Sequence, residues 1–298
     1  GGKQGLYNLF QCLLNPGDEV LIPAPYWVSY PDMVSLADGS PVIVPSSPEN
    51  GFRLRPEELQ PYVTDKTRIL VLNTPSNPTG SHYSQAELDK LISWALQQDI
   101  FVISDEIYDQ LVYPPAEPAS AGTWLDGHAD SIALCNGLSK SYAMTGWRMG
   151  YVLTHKDLIA KLSTLQGQST SNVCVLVQKA AVAALRGPQE FLHHHSQVFQ
   201  KRRDLALERI ASWPGVECPR PDGAFYLFPR VDAMYTQNIP DSTAFCTYLL
   251  EKAQVALVPG AAFGDDRCLR ISYALDETTL LQALDRMQTA FSALAGLD

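Results

Sequence analysis

An open α/β sheet with a second, smaller α+β unit is the architecture this sequence predicts, and three observations predict it. Six short apolar runs in the first 154 residues are continuous rather than alternating, as strands covered on both faces require. Between the third and the fourth lies a segment with helical apolar spacing, and strand–helix–strand order builds an open, mostly parallel sheet. From about residue 188 the pattern changes to long helical stretches and short alternating strands.

The runs are EVLIP (19–23), PVIVP (41–45), RILVLN (68–73), FVIS (101–104), SIALC (131–135) and GYVLT (150–154). The intervening helix is SQAELDKLISWALQQ (84–98), where Ser84 and Glu87 have capping-box spacing and Leu88, Leu91, Ile92 and Ala95 share one face. A long helical stretch (188–213) leads to short strands at GAFYLFP (223–229) and CLRISYA (268–274), with helical patterns over 242–253 and 276–294. The expected units are therefore 1–190 and 191–298, without internal repeats or low-complexity segments. On the long helix, His193, His194 and His195 point about 100° apart and cannot face one metal ion together. KRRD (201–204) beside Glu208 reads as an exposed, ion-paired face.

The net charge of −10 leaves no basic footprint for nucleic acid or an anionic membrane, so a bound anion must be held by a local site. No apolar run approaches the roughly 20 residues of a membrane span, and no signal peptide is visible. Six cysteines without ligand-like spacing read as reduced, mostly buried thiols of a cytoplasmic protein. The opening Gly1-Gly2-Lys3-Gln4, with neither an initiator Met nor a tail-like segment, leads us to expect further residues upstream.

Ligands of open α/β sheets sit outside the carboxyl ends of the strands. RILVL is followed by Asn73 and the loop NTPSNPTG with Asn77, FVIS by Asp105, Glu106 and Tyr108, and SIALCNGLS by Lys140. An amide, a carboxylate with a phenol, and an amine thus reach one edge. The setting of Lys140, GLSKSYAMTGW, is too apolar for a solvated face, and no acid stands between it and Arg148. A lysine in a dry pocket loses its proton easily and can form a Schiff base with an aldehyde. Arg148 offers a permanently charged fork for a phosphate. An aldehyde and a phosphate on one small molecule suggest pyridoxal phosphate. Asp105 then suits the pyridine nitrogen, and Tyr108 with Asn77 the ring's phenolic oxygen. Trp27, in PAPYWVSYP, either stacks on the flat ring or belongs to the core.

GLSKSYAMTGWRMG fits the lysine signature of class-I, pyridoxal-phosphate-dependent aminotransferases, and NTPSNPTG and SDEIY look like that family's cofactor loops in order and spacing. The chain resembles the family from Gly1 to about Leu294. The resemblance implies fold type I: a large domain with a mostly parallel seven-stranded sheet, a small domain that closes over substrate, and an N-terminal arm that this chain lacks. It implies that Lys140 is the Schiff-base lysine and general base, with Asp105 on the pyridine nitrogen and Trp27 on the ring. Arg148, Ser139 and the backbone of Gly2 and Lys3 at a helix start would hold the phosphate; where Gly137 replaces a serine of some members, one phosphate donor is either absent or supplied by Ser139. Arg270, in CLRISYA, would grip the substrate α-carboxylate, with Trp27 and Asn77 alongside, and Asn77-Pro78 would be cis.

GGKQ, LYNLFQ and PYWVSYP most resemble the bacterial aspartate aminotransferase branch, in which Lys3 would reach the distal carboxylate of the substrate. The expected reaction moves an amino group between an L-amino acid, aspartate or glutamate, and a 2-oxo acid such as 2-oxoglutarate, in a homodimer with the site near its interface. Aminotransferases for aromatic amino acids, alanine or prephenate share the other motifs, as do carbon–sulfur β-lyases. A pyridoxal-sensing effector domain of a transcription regulator is the non-enzymatic alternative.

Overall fold

The structure, a computed structural model, describes residues 1–295. Every apolar run becomes a strand: Glu19–Ala24 (β1), Ser40–Pro45 (β2), Thr67–Asn73 (β3), Phe101–Asp105 (β4), Ile132–Gly137 (β5) and Gly150–Leu153 (β6). They form one sheet in the order β2-β1-β3-β4-β5-β6, parallel except for the β5–β6 pair. The resemblance implied seven strands; among the described residues the sheet has six, one for each apolar run, and no further run of that kind supplies a seventh.

Helices cover both faces: Gly2–Leu13 (α1), Ser29–Ser35 (α2), the short Pro56–Leu59 (α3), Gln85–Gln97 (α4), the short Leu125–His128 (α5) and Lys156–Gln168 (α6). Leu70 and Leu72 pack with Leu88, Leu91 and Ile92 of α4, whereas Ile69 and Val71 pack with Leu6, Leu9 and Phe10 of α1. This two-sided burial is why the strands read as continuous apolar runs. The capping box of α4 forms as expected: the Ser84 N–H donates to Glu87 Oε2 at 2.8 Å, and the Glu87 N–H donates to Ser84 Oγ at 3.3 Å.

Beyond Val175–Arg186 (α7) runs Glu190–Ile210 (α8). The second unit adds Tyr226–Leu227 (β7), Ser242–Ala253 (α9), Val258–Pro259 (β8), Leu269–Ser272 (β9) and Glu277–Ala295 (α10). Its antiparallel sheet has the order β7-β9-β8, and a separate core joins Ala206, Ile210, Leu227, Phe245, Leu249, Ile271, Leu284 and Phe291. The last three residues of the expected 191–298 unit lie outside the described residues.

Helix α8 departs from its sequence reading. His193 and His194 are exposed, but Arg203 of the KRRD run is fully buried. Its guanidinium donates to the Pro221 carbonyl at 2.9 Å, pairs with Asp204 at 2.9 Å and lies 4.9 Å from the ring centre of Tyr113. A neighbouring acid, a backbone acceptor and an aromatic face satisfy the charge, so burial is tolerated. The six cysteines are free thiols; Cys135, Cys246 and Cys268 are buried and Cys174 is exposed. Among the described residues no helix is long and apolar enough to cross a membrane.

Candidate active site

Strands β3, β4 and β5 end at one sheet edge, with Asn73 registered against Asp105 and Asp105 against Cys135. Outside that edge lies a cavity of about 320 Å³, and all ten residues assigned a part in the site from the sequence line it: Gly2, Lys3, Trp27, Asn77, Asp105, Tyr108, Ser139, Lys140, Arg148 and Arg270. Glu106 instead accepts from the Ser120 hydroxyl and the Ala121 N–H, outside the cavity. Parallel strands carry the carboxyl, the phenol and the amine to the edge. The small unit contributes Arg270 from β9, and α1 contributes its first turn.

The charges in the cavity are largely unmatched. Among the described residues, Lys140, Arg148 and Arg270 form no ion pair with a carboxylate. Burial, then Arg270 and Arg148, push the Lys140 amine below the usual lysine range, against the opposing pull of Asp105. Asp105 is buried, and desolvation pushes its carboxyl up to about 6 although the Tyr30 hydroxyl donates to Oδ2 at 2.7 Å. The Arg148 guanidinium donates at 2.9 Å to the Thr145 carbonyl. Arg270 donates through one terminal nitrogen to Asn77 Oδ1 at 2.9 Å, while its Nε is buried without a partner.

Local packing explains the glycines of the lysine motif. A Cβ on Gly150 would lie 2.4 Å from the Gly2 nitrogen, so only glycine lets the start of α1 settle against β6. A Cβ on Gly137 would lie 2.7 Å from the Met149 carbonyl, so serine has no room there, and Ser139, buried beside Lys140, is the serine that lines the cavity. The Asn77-Pro78 bond is cis, as expected. The Lys3 ammonium sits 4.8 Å from the ring centre of Trp27, and Trp27 meets Tyr30 edge-on at 5.3 Å.

Leu6, Asn73, Ile107, Thr145 and Tyr226 also line the cavity without having been assigned a part in it. Tyr30, bonded to Asp105, was overlooked too; its signal was its place three residues after Trp27, one turn along at the start of α2. Tyr226 carried no local signal.

The family model for aminotransferase class I and II matches residues 1–287. The chain belongs to that family. An aspartate/prephenate aminotransferase of Cereibacter sphaeroides is 45% identical over 302 residues, covering 99% of this chain and 76% of that protein. An aspartate aminotransferase of Bacillus subtilis is 42% identical over 289 residues, covering 97% and 74%. The crystal structure of an aspartate aminotransferase from Rhizobium meliloti superposes with a TM-score of 0.93 at 40% identity, covering 98% of this chain and 75% of that one. The fold is accordingly that of fold type I, the protein is an aminotransferase, and its cofactor is pyridoxal 5′-phosphate.

The side chains of this aminotransferase fit that cofactor on chemistry visible in the cavity. An amine biased toward neutrality suits an aldehyde, and a buried carboxyl without a cationic partner suits a pyridinium N–H. An arginine beside an uncapped helix start suits a phosphate. The orphaned Nε of Arg270 leaves a donor for a second anion.

Proposed function

We propose that this aminotransferase moves the amino group of a dicarboxylic L-amino acid, aspartate or glutamate, to a 2-oxo acid such as 2-oxoglutarate. The observation that carries the reading is a set of four basic side chains around one cavity, none ion-paired among the described residues: Lys140, Arg148 and Arg270, at positions suited to an aldehyde, a phosphate and an α-carboxylate, and Lys3, left for a second carboxylate. Pyridoxal phosphate, when bound, supplies an electrophilic carbon and a ring that accepts the electrons released as the donor's Cα proton leaves.

In this reading Lys140 would hold the aldehyde of the cofactor through its neutral amine, and the same amine would take the proton from the donor's Cα. Asp105, whose ionised form the Tyr30 hydroxyl favours against the cost of burial, would hold the proton on the pyridine nitrogen. Arg148, Ser139 and the first N–H groups of α1, from Gly2 and Lys3, bind the phosphate. Trp27 covers one face of the ring. The Asn77 oxygen is turned toward Arg270, which leaves its amide N–H groups and the Tyr108 hydroxyl for the ring oxygen. Arg270 grips the α-carboxylate with the rest of its fork. Lys3, on the cavity wall beside Trp27, meets the distal carboxylate.

The same reading divides the chain into a cofactor unit (1–190) and a closing unit (191–298), and places it in the cytoplasm on its free thiols. It also has the protein pair as a homodimer: Trp147, next to Arg148, and Leu176 of α7 are exposed apolar side chains, 50% and 73% accessible, of the kind a second copy would cover. Light scattering that returns a monomer overturns the dimer.

Prephenate is a second acceptor to test, because the Cereibacter sphaeroides relative carries it in its name. The deciding experiment follows cofactor absorbance in half-reactions with aspartate, glutamate, alanine and phenylalanine, then regenerates with 2-oxoglutarate or prephenate. Aspartate fastest, with a Lys3→Ala loss much larger for aspartate than for alanine, is the expected result. Equal losses on both donors overturn the role of Lys3. Pyruvate and ammonia released without any 2-oxo acid would make the protein a lyase instead.

A further inference from the structure

The cavity contains a phenol pair of which the reaction described above uses one member, Tyr108, and leaves the other, Tyr226, without a part. The hydroxyls of Tyr108 and Tyr226 lie 2.9 Å apart, and both residues are buried. The ring of Tyr226 also lies beneath the Arg270 guanidinium, 4.6 Å from centre to carbon. One side chain therefore touches both the phenol on the cofactor side and the arginine on the carboxylate side.

The segment holding Tyr226 is anchored on the large sheet unit although β7 belongs to the small one. The Gly80 carbonyl accepts from the N–H groups of Asp222 at 3.0 Å and Gly223 at 2.9 Å, and the Ala224 N–H donates to Leu111 at 2.8 Å. The Tyr113 N–H donates to Asp222 at 2.8 Å, and the Tyr113 hydroxyl donates to the Ala224 carbonyl. A Cβ on Gly223 would lie 2.6 Å from both the Leu111 carbonyl and Pro75, so the two backbones meet as closely as glycine allows. Arg203 holds the Pro221 carbonyl from behind. Tyr226 is thus presented from a rigid turn.

We propose that Tyr226 is a positioning residue of the reaction, its hydroxyl aligning that of Tyr108 and its ring seating Arg270. The inference rests on the site assignments given under Proposed function. If Tyr108 gives its proton to the ring oxygen of the cofactor, only Tyr226 is left as donor within the pair. A phenol that accepts one hydrogen bond is a stronger donor of the next. Tyr226 therefore strengthens the bond from Tyr108 to the ring oxygen and favours the deprotonated form of the linkage at Lys140. Asp105, Tyr30, Lys140 and Arg270 are the other titratable or charged groups facing the pair, and a change confined to the Tyr226 hydroxyl leaves all four in place.

The experiment titrates the yellow absorbance of the pyridoxal-phosphate-loaded protein against pH. Tyr226→Phe, which keeps the ring, should raise the midpoint by about half to one pH unit, the effect of losing one ordinary hydrogen bond, with little change in KM for the amino donor. Tyr226→Leu, which leaves Phe263 at 5.0 Å as the remaining ring against Arg270, should raise that KM about tenfold and lower kcat less. A midpoint in Tyr226→Phe equal to that of the unaltered protein overturns the hydroxyl's part. An unchanged KM in Tyr226→Leu overturns the ring's part, and the Phe variant, nearly isosteric, decides the matter if the Leu variant does not fold. Yellow absorbance of the unaltered protein tests the site assignments separately; without it both readings fall.

Discussion

Arg267 and Arg270 stand three residues apart at β9, yet they are provided for in opposite ways. Arg267 closes its fork on Asp265 with two hydrogen bonds of 2.8 Å, and Arg230 nearby does the same with Asp232 at 2.8 and 2.9 Å. Arg270 has one bond to a neutral amide and an Nε with none. A half-exposed arginine that folds back on its own neighbour stabilises a turn modestly. An arginine held open in a cavity costs stability until an anion arrives. Lys140 and Arg148 fall on the open side of this division, and so does Asp105, a buried carboxyl without a cation in ion-pair reach.

The largest expected effect belongs to the open group that carries the chemistry. Lys140→Ala should abolish the yellow absorbance and lower turnover by about 10⁴-fold or more, since it removes the side chain proposed as both attachment point and proton carrier. Half-reaction kinetics with aspartate check this, and retention of both properties would end the assignment. Arg270→Ala should follow, lowering kcat/KM by about 10²- to 10³-fold through loss of a charge-assisted fork. The yellow absorbance without substrate should persist, with its pH midpoint raised, because Arg270 no longer presses on Lys140 or holds the Asn77 oxygen. If amino donors without an α-carboxylate lose as much, the arginine does not read that group.

How far these residues could be read in advance depended on where their partners lie in sequence. The six strands were visible because each is apolar on both faces, a property of consecutive residues. The cavity residues were visible because they directly follow those strands or sit in short motifs. Helices α6 and α7 were not assigned, and α7 shows why: it buries only Ala181, while Val175 and Leu176 are 62% and 73% exposed, so its apolar residues do not outline a face packed on this chain. Arg203 looked like surface charge because the groups that satisfy it beyond Asp204, the Pro221 carbonyl and the Tyr113 ring, lie far off in sequence. Tyr226 reaches the site only through the close approach at Gly80 and Gly223, which depends on packing between segments distant along the chain.

A smaller effect should appear in the cofactor-free protein. Burial places the Asp105 carboxyl near 6, above its ordinary 3.8, so the folded state binds the proton more tightly than the unfolded chain does. The sign follows: full stability lies below the unfolded value and is lost as pH rises toward the folded one. Asp105→Asn removes that loss. Its cofactor-free form should therefore be more stable than the unaltered protein by about 1–3 kcal/mol at pH 8, with the gap closing toward pH 4. Denaturant titrations at the two pH values test this. A gap of opposite sign would show that Asp105 is held as a carboxylate without strain.

The smallest effect sets the other end of the comparison. Arg267 is 47% exposed while Asp265 is 7% exposed, so the pair is a surface fork with one foot in the interior. Arg267→Ala should cost about 1 kcal/mol, most of it from the carboxylate left behind. Adding Asp265→Asn should recover part of that loss, since the remaining amide is easier to bury than a charge. Neither change should move kcat or KM, because nothing in the fork faces the cavity. Denaturant midpoints for the single and double variants, with steady-state kinetics on each, make the check. A kinetic loss in Arg267→Ala comparable to that in Arg270→Ala would mean that a filled fork and an open one serve the site alike, and the division between them would fail.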